Sequence, residues 1–355
     1  MRDPRGHRLL EQVARRCARA HDPLLLLRDV AAAVRAEVPY AAAGWLLVDP
    51  DTLLLTGVHA EGVTRVQHLA LIELEGAEGD VNAFRDLAER EVAAASLSGA
   101  TDGDLARSAR WRAVYRPAGY GDELRTVFRS ASTTWGHACL TRRAGDPFFS
   151  AAEVALVARA CPHVGNGLRA ALLLGAAAPG ADPSAPALVV LDDGGAVRSV
   201  SERASRWLGP LEDDSLASTI VLHEVARRTR ALAAGATGPP AFARARSVGG
   251  DWLAVRGTLL DDGAVALVCE PASRAQVAPV LLRLRRLTDR EREVTGLLLR
   301  GTSTAAIARE LWITPETVRG HVKTVFAKLG VTSRPELAAL LADEPATALV
   351  RTGPS

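Results

Sequence analysis

Arg319 and Lys323 stand four residues apart in the stretch PETVRGHVKTVFAKL, the spacing that puts two side chains on one face of a helix. Glu316, Thr317, Gly320 and Thr324 also lie off the apolar stripe made by Val318, Val322, Val325, Phe326 and Leu329. A guanidinium or ammonium presented this way can donate to O6 and N7 of a guanine in the major groove. Threonine hydroxyls and backbone amides can hold the flanking phosphates. Composition points to the same stretch. The chain takes its positive charge almost wholly from arginine, and its lysines are Lys323 and Lys328, both here. A lone basic residue on a helix is commonly no more than a solvated surface. The reading gains weight only when the elements around it agree.

They do agree. Thr288-Asp289-Arg290-Glu291 has the form of a capping box, with a hydroxyl for the third amide and a carboxylate reaching back. Val294, Leu297 and Leu298 then share a helical face, and Gly301 supplies a stop. A short second helix starts near Ser303 and buries Ile307, Ala308 and Leu311. Trp312-Ile313 connects it to a third helix, which Thr314 caps and Pro315 opens, at a position that needs no amide. Gly330 ends the third helix. Ser333-Arg334-Pro335-Glu336 opens a fourth with Leu337, Leu340 and Leu341. Helix, short helix, tight turn and longer helix is the helix-turn-helix order, in which the later helix enters the groove.

This segment resembles the LuxR/FixJ-type helix-turn-helix domain. Leu287, Thr288, Arg290, Glu291, Glu293, Val294, Gly301, Ser303, Ile307, Ala308, Leu311, Ile313, Thr317, Val318, His321, Lys328, Leu329, Gly330, Val331, Ser333 and Arg334 stand where that pattern expects them. The resemblance implies a dimer whose third helix reads duplex DNA and whose fourth helix pairs subunits through Leu337, Leu340 and Leu341. By position, Arg319 and Lys323 match base-contacting sites, and Ser303, Thr314 and Thr317 match phosphate contacts. Thr304, Gly320, Thr324 and Lys328 complete the expected DNA-binding set. Gly320 departs from the larger side chain often found there, and a glycine inside a helix costs ~1 kcal/mol.

The remaining chain bounds the rest of the reading. With 355 residues, several domains are expected. A net charge of +2 argues against a polybasic DNA coater, so basic character must be local; it gathers from Arg283, Arg285 and Arg286 onward. The most apolar long stretch, 151–178, is interrupted by Glu153, Arg159, His163 and Arg169, which argues against a membrane span. The first residues lack the apolar core of a secretory signal. Cys17, Cys139, Cys161 and Cys269 follow no metal-binding spacing and read as reduced thiols. A cytoplasmic location and a GC-rich bacterial genome are expected. Cofactors are not.

The expected fold class is multidomain α+β. Residues 1–175 read as two leading helices, paired strands at 43–49 and 53–59, further strands at 124–130 and 135–142, and a closing helix. This region resembles a GAF domain, through PFFSAAEVALVARACPHVGNGLRAALLL and the GYGDELR run. GAAAPGADPSAP marks a linker at 176–186. Residues 187–271 read as two strands, helices and three strands, an order that resembles a small PAS domain and is short for one. A connecting segment at 272–286 carries a helical stripe interrupted by Pro279. The four-helix DNA-binding domain occupies 287–342, and 343–355 form a flexible tail.

No nucleophile elbow, zinc-protease motif or phosphate loop occurs, which argues against an enzyme. Asp49, Asp51, Asp192 and Asp193 suggest a phospho-acceptor pocket, but no lysine precedes position 323 to complete one. His137 and Cys139 share a strand face and could be a ligand and a redox thiol, or simply core residues. Phe148, Phe149, Trp111, Tyr115, Tyr120, Phe128 and Trp135 crowd into one region. With Trp45, the last five are the candidate walls of a small-molecule pocket, or else the domain's core. Two functions follow. One is a dimeric regulator that binds DNA and answers to an unknown effector, with RNA polymerase as a candidate partner. The other is a protein-interaction regulator with degenerate sensor domains and constitutive DNA binding.

Overall fold

The computed structural model describes residues 4–76, 79–175, 186–211 and 219–342. The chain divides into two compact units, Met1–Pro271 and Ala272–Ser355. Nearly all of the 176–186 linker and the whole 343–355 tail lie outside the described residues.

The first unit begins with α1 (Pro4–Ala18) and α2 (Pro23–Glu37). The Asp22 carboxylate caps α2 by accepting from the Leu25 amide at 2.8 Å, and Pro23 follows at the first helical position. Strands β1 (Ala42–Val48) and β2 (Leu55–Glu61) form a hairpin. The expected second strand loses its first two residues, because Leu53 turns the chain at φ 58°. The stretch after it supplies α3 (Arg65–Gly76), α4 (Phe84–Glu89), β3 (Ala94–Ser96) and α5 (Leu97–Ala100). A long hairpin of β4 (Tyr120–Ser130) and β5 (Thr133–Arg143) leads into α6 (Ala151–Gly175).

The sheet runs β2-β1-β5-β4-β3, all antiparallel. Helices cover both of its faces, so β1 is buried at every position and shows no alternation. On one face α6 packs against β4 almost backbone to backbone: a Cβ on Gly165 would lie 2.2 Å from the Arg129 carbonyl oxygen. On the other, Leu46, Val48, Val58 and Val127 pack with Ile72, Phe84 and Leu87 of α3 and α4.

A second sheet follows in the same unit. It contains β6 (Ala187–Leu191), β7 (Val197–Val200), β8 (Phe242–Arg246), β9 (Trp252–Leu259) and β10 (Val265–Pro271), in the order β7-β6-β10-β9-β8. Helices α7 (Glu202–Leu208) and α8 (Ile220–Ala233) lie between β7 and β8 in the chain. The core is aliphatic, built from residues such as Val189, Leu191, Leu222, Val225, Val255 and Leu267. Gly257 lets α8 sit close, since a Cβ there would fall 2.0 Å from Thr229 Oγ1.

The two sheets are not independent. Ile220, at the start of α8, belongs to the core of the first, while its neighbours Val221 and Leu222 belong to the second. Asp49, at the end of β1, is buried and accepts from Arg244 of β8: Nε at 2.8 Å, Nη2 at 2.7 Å and the backbone amide at 2.9 Å. Asp51 adds a contact at 2.5 Å. These carboxylates join the sheets and form no phospho-acceptor pocket. Asp192 and Asp193 bind turn amides of Ala196 and Gly194.

Among the described residues the second unit is helical: α9 (Arg274–Leu284), α10 (Asp289–Leu299), α11 (Thr304–Glu310), α12 (Pro315–Leu329) and α13 (Arg334–Leu341). One core joins Val294, Leu297, Ile307, Val318, Val325 and Leu337. Ala278 and Leu282 of α9 are part of it, so the segment expected to be a connector is the first helix of this unit.

Candidate nucleic-acid interface

Local chemistry sets each helix start. Thr288 Oγ1 accepts from the Glu291 amide at 3.3 Å, and Glu291 accepts from the Thr288 amide at 2.7 Å, completing the capping box of α10. Ser303 caps α11, with Oγ accepting from the Ala306 amide at 3.3 Å. Thr314 caps α12 by accepting from the Thr317 amide at 3.1 Å. Gly330 closes α12 in the left-handed region at φ 71°. Trp312 forms the turn between α11 and α12 at φ 55°, and its side chain is 94% exposed. Val318, Val325 and Leu329 point into the core, which turns the opposite side of α12 outward.

That outer side carries Thr317, Arg319, Gly320, Lys323 and Thr324, all exposed. Arg319 Nε donates to Glu316 at 3.0 Å across one turn, an exposed pair that a phosphate or base edge can exchange for its own acceptors. Thr324 Oγ1 donates to the Gly320 carbonyl at 3.1 Å. Beside α12 opens a groove of about 400 Å³. Arg319, Lys323 and Arg334 line it together with Thr304 and Thr332, over Phe326. Arg334 is steered there by its bond to the Thr302 carbonyl at 3.2 Å. Sequence reasoning misses Arg334 and Thr332 as groove residues; the expected capping box at Ser333 is only half made, since Ser333 Oγ accepts from the Glu336 amide at 3.3 Å while Glu336 accepts from the Thr332 amide at 2.7 Å.

Lys328 does not join this face. It is half-buried, and its Nζ donates to Glu291 Oε2 at 2.5 Å and to the Arg286 carbonyl at 3.0 Å. Burial alone would raise the Glu291 carboxyl, but the Lys328 contact and the Thr288 amide hold it below the ordinary range. Lys328 thus clamps α12 to α10. The leucines expected to pair subunits are corrected in the same way. Leu337 and Leu341 are core residues at 1% and 2% exposure, because α9 and α10 pack on α13; Leu340, at 36%, stays at the surface.

Residues 285–341 match the family described as "Bacterial regulatory proteins, luxR family". The second unit holds a LuxR-type helix-turn-helix domain. Its similarity to a probable transcriptional regulatory protein, NarL, of Mycobacterium tuberculosis is 47% identity over 60 residues, covering 17% of this chain and 25% of that one. The monoamine regulon transcriptional regulator of Klebsiella aerogenes is 45% identical over 51 residues, covering 14% and 22%. The HTH-type transcriptional regulator MalT of Yersinia pestis is 41% identical over 58 residues, covering 16% and 6%. The chain therefore spans about a quarter or less of these relatives. Among solved structures, the GAF domain of an Acinetobacter phosphoenolpyruvate-protein phosphotransferase overlaps 48% of this chain and 96% of its own, with 13% identity and a TM-score of 0.34. A Vibrio cholerae VqmA structure overlaps 44% and 81%, with 17% identity and a TM-score of 0.21.

Upstream, the aromatic residues expected to wall a pocket divide between two faces of the first sheet. Trp45 stacks on Phe128 at 5.8 Å on the side facing α6, where Phe128 and Leu168 close on Gly136. On the opposite side His137 stacks on Phe84 at 4.2 Å. Tyr115 and Tyr120 meet edge to face at 6.2 Å, and Trp111 donates to the Gly121 carbonyl at 2.9 Å. Strand alternation separates side chains that the linear sequence shows as one crowd.

Beside the apolar cluster, the side facing α3 and α4 also holds a set of buried charges. Buried Arg110 binds Asp80 at 2.7 Å and Glu123 at 2.8 Å. Tyr115 donates to Glu123 at 2.8 Å, and Arg125 reaches Glu75 at 2.5 Å. Burial, and then the Arg125 charge, push His137 down to about 3; burial likewise lifts Cys139 to about 11. Among the described residues neither ring nitrogen of His137 finds a hydrogen-bond partner. No sequence motif announces this network, because its members come from four separate stretches, at Glu75, at Asp80, at Arg110 with Tyr115 and at Glu123 with Arg125. Among the described residues no helix is long and apolar enough to cross a membrane.

Proposed function

We propose that this chain is a sequence-specific, DNA-binding transcriptional regulator that acts as a dimer in the cytoplasm rather than as an enzyme. The first unit, divided into a GAF-like sensor at 1–175 and a PAS-like domain at 187–271, governs binding in answer to a small-molecule or protein signal. The observation that carries this reading is the outer side of α12, where Arg319 and Lys323 stand exposed beside Arg334 on a helix whose other side is wholly committed to the core. That arrangement suits major-groove docking with phosphates seated at Ser303, Thr304, Thr314 and Thr317. VqmA, whose structures include a complex with ligand and DNA, is an example of a LuxR-type receptor. By the same logic, a signal in the first unit controls two DNA-binding domains on neighbouring half-sites. Leu340 remains the surface leucine of α13 available for pairing.

A second reading applies to the PAS-like domain. Its interior is closed by aliphatic side chains and by the contact of α8 at Gly257. This favours a scaffold there over a ligand chamber. RNA polymerase is the remaining partner the proposal implies.

Genomic fragments captured by the purified full-length protein test the proposal. Lys323→Ala should weaken binding to a captured fragment about tenfold or more, the cost of a lost base contact. Capture no better than that of unrelated DNA, or a Lys323→Ala titration superimposable on wild type, would overturn it.

A further inference from the structure

Arg110, Arg125, Arg142 and Arg244 of the first unit each meet a carboxylate within 2.8 Å. Arg65 of α3 and Arg230 of α8, both half-buried, do not: among the described residues neither has an ion pair. Arg65 Nη2 instead donates to Nε2 of His223 at 3.2 Å, and Arg230 Nη2 donates to the Asp192 carbonyl at 2.5 Å. Arg230 Nε is buried and has no acceptor among the described residues. Two acidic side chains of the same helices are engaged elsewhere, Glu224 with Arg227 at 3.1 Å and Glu75 with Arg125 at 2.5 Å. Asp192 and Asp193 each spend a carboxylate oxygen on a turn amide.

Both guanidinium charges act on His223, a ring only 5% exposed. Burial first, and then Arg65 and Arg230, push it down to about 4, so the imidazole is neutral. Because Nε2 accepts from Arg65, the ring proton sits on Nδ1. Among the described residues Nδ1 has no partner. It lies under the turn of residues 192–195, where a Cβ on Gly195 would be 3.5 Å away. Donors from α3 and α8 thus converge beside that turn with no acid among them. Leaving a buried N–H without an acceptor, and two like charges without a counter-charge, is unfavourable. An anion rich in acceptor oxygens removes both costs at once. A carboxylate has two oxygens in one plane, which a single guanidinium fork fills. A tetrahedral phosphate can serve two forks and still accept from the imidazole.

We infer that Arg65, His223 and Arg230 form an oxyanion site at the seam between the two sheets of the first unit, and that it takes a phosphate group. The site gives a chemical class to the signal in the reading above and rests on that reading for its regulatory meaning. Arg65 comes from a helix of the first sheet, and His223 and Arg230 from a helix of the second. A phosphate held by all three ties the sheets together where the empty site sets cations against one another.

Calorimetry of the full-length chain tests the site. Millimolar inorganic phosphate should raise the melting temperature by about 3 °C over chloride at equal ionic strength. Arg65→Gln and Arg230→Gln, on separate elements, should each abolish that rise. Lys323→Ala, in the groove beside α12, should keep it. Glycerol phosphate distinguishes the sources: a rise at least as large as with the free ion identifies an organic phosphate, and a rise with the free ion alone identifies inorganic phosphate. No rise in the wild-type protein, a rise that survives both arginine variants, a rise that Lys323→Ala removes, or an equal rise with acetate overturns the inference. The two readings fail separately. If phosphate stabilises the chain through Arg65 and Arg230 but leaves DNA affinity unchanged, the site stands and its role as a sensor falls. If phosphate does nothing while Lys323→Ala still weakens DNA binding, the site falls alone.

Discussion

The two sheets of the first unit share one strand order and differ in what they enclose. In β2-β1-β5-β4-β3, helices cover both faces, and the side toward α3 and α4 holds Arg110, Asp80, Glu123, Arg125 and Tyr115 in one bonded set. In β7-β6-β10-β9-β8, β6 alternates between buried and solvent-facing positions, and the interior is aliphatic. Topology therefore does not decide content. Polar residues placed inside a sheet with two covered faces are stable there only when paired. A sheet with one open face can send its polar residues to water.

The contrast breaks most sharply at Glu123. Glu123→Ala leaves Arg110 and Arg125 short of their shared carboxylate in a buried site and should cost about 3–5 kcal/mol. A urea titration of the full chain measures it, and a loss below 1 kcal/mol would mean that the network is better solvated than its burial implies. Next is the clamp between the sheets. Arg244→Met strands the buried Asp49 carboxylate and should cost about 3 kcal/mol. It should also split the unfolding of Met1–Pro271 into two calorimetric transitions; one unbroken transition would show that the shared α8 alone holds the sheets together.

In the aliphatic sheet, Leu267→Ala should cost about 2–3 kcal/mol through a cavity. That loss should be equal at pH 5 and pH 8, since no titrating group is involved. The smallest effect at neutral pH belongs to His137→Phe. A ring held near a pKa of 3 in the fold, against about 6.5 unfolded, binds fewer protons folded than unfolded between those values. Native stability should be complete above pH 6.5 and fall as pH drops toward 3. His137→Phe should leave the melting temperature at pH 8 nearly unchanged and flatten the decline below pH 6.5. An unaltered pH profile would place that decline on other groups.

The DNA-binding domain was legible because its signals are contiguous. Thr288 with Glu291, Ser303, Thr314 and Gly330 act on amides and carbonyls a few residues away, so caps and stops can be read in order. The apolar stripe of α12 likewise fixed which side faces out. Contacts such as Arg110 to Glu123 or Phe84 to His137 carry no such local mark. Nor did residues 62–118, whose short helices and short β3 have too few turns or pairs for a period to show.

Taken alone, the sequence determined the helix starts of 288–341, the cationic side of α12, and the element order of 187–271, since each depends on neighbours within about one helical turn or one hairpin. Only the tertiary structure decided that Lys328 pairs with Glu291, that Leu337 and Leu341 turn inward beneath α9 and α10, that the aromatic residues split across a sheet, and that Asp49 finds Arg244 195 residues away. Those outcomes depend on which surfaces meet after the elements form. Burial then makes each meeting energetically decisive, because a charge or apolar side chain removed from water must find its partner among residues that no local pattern relates to it.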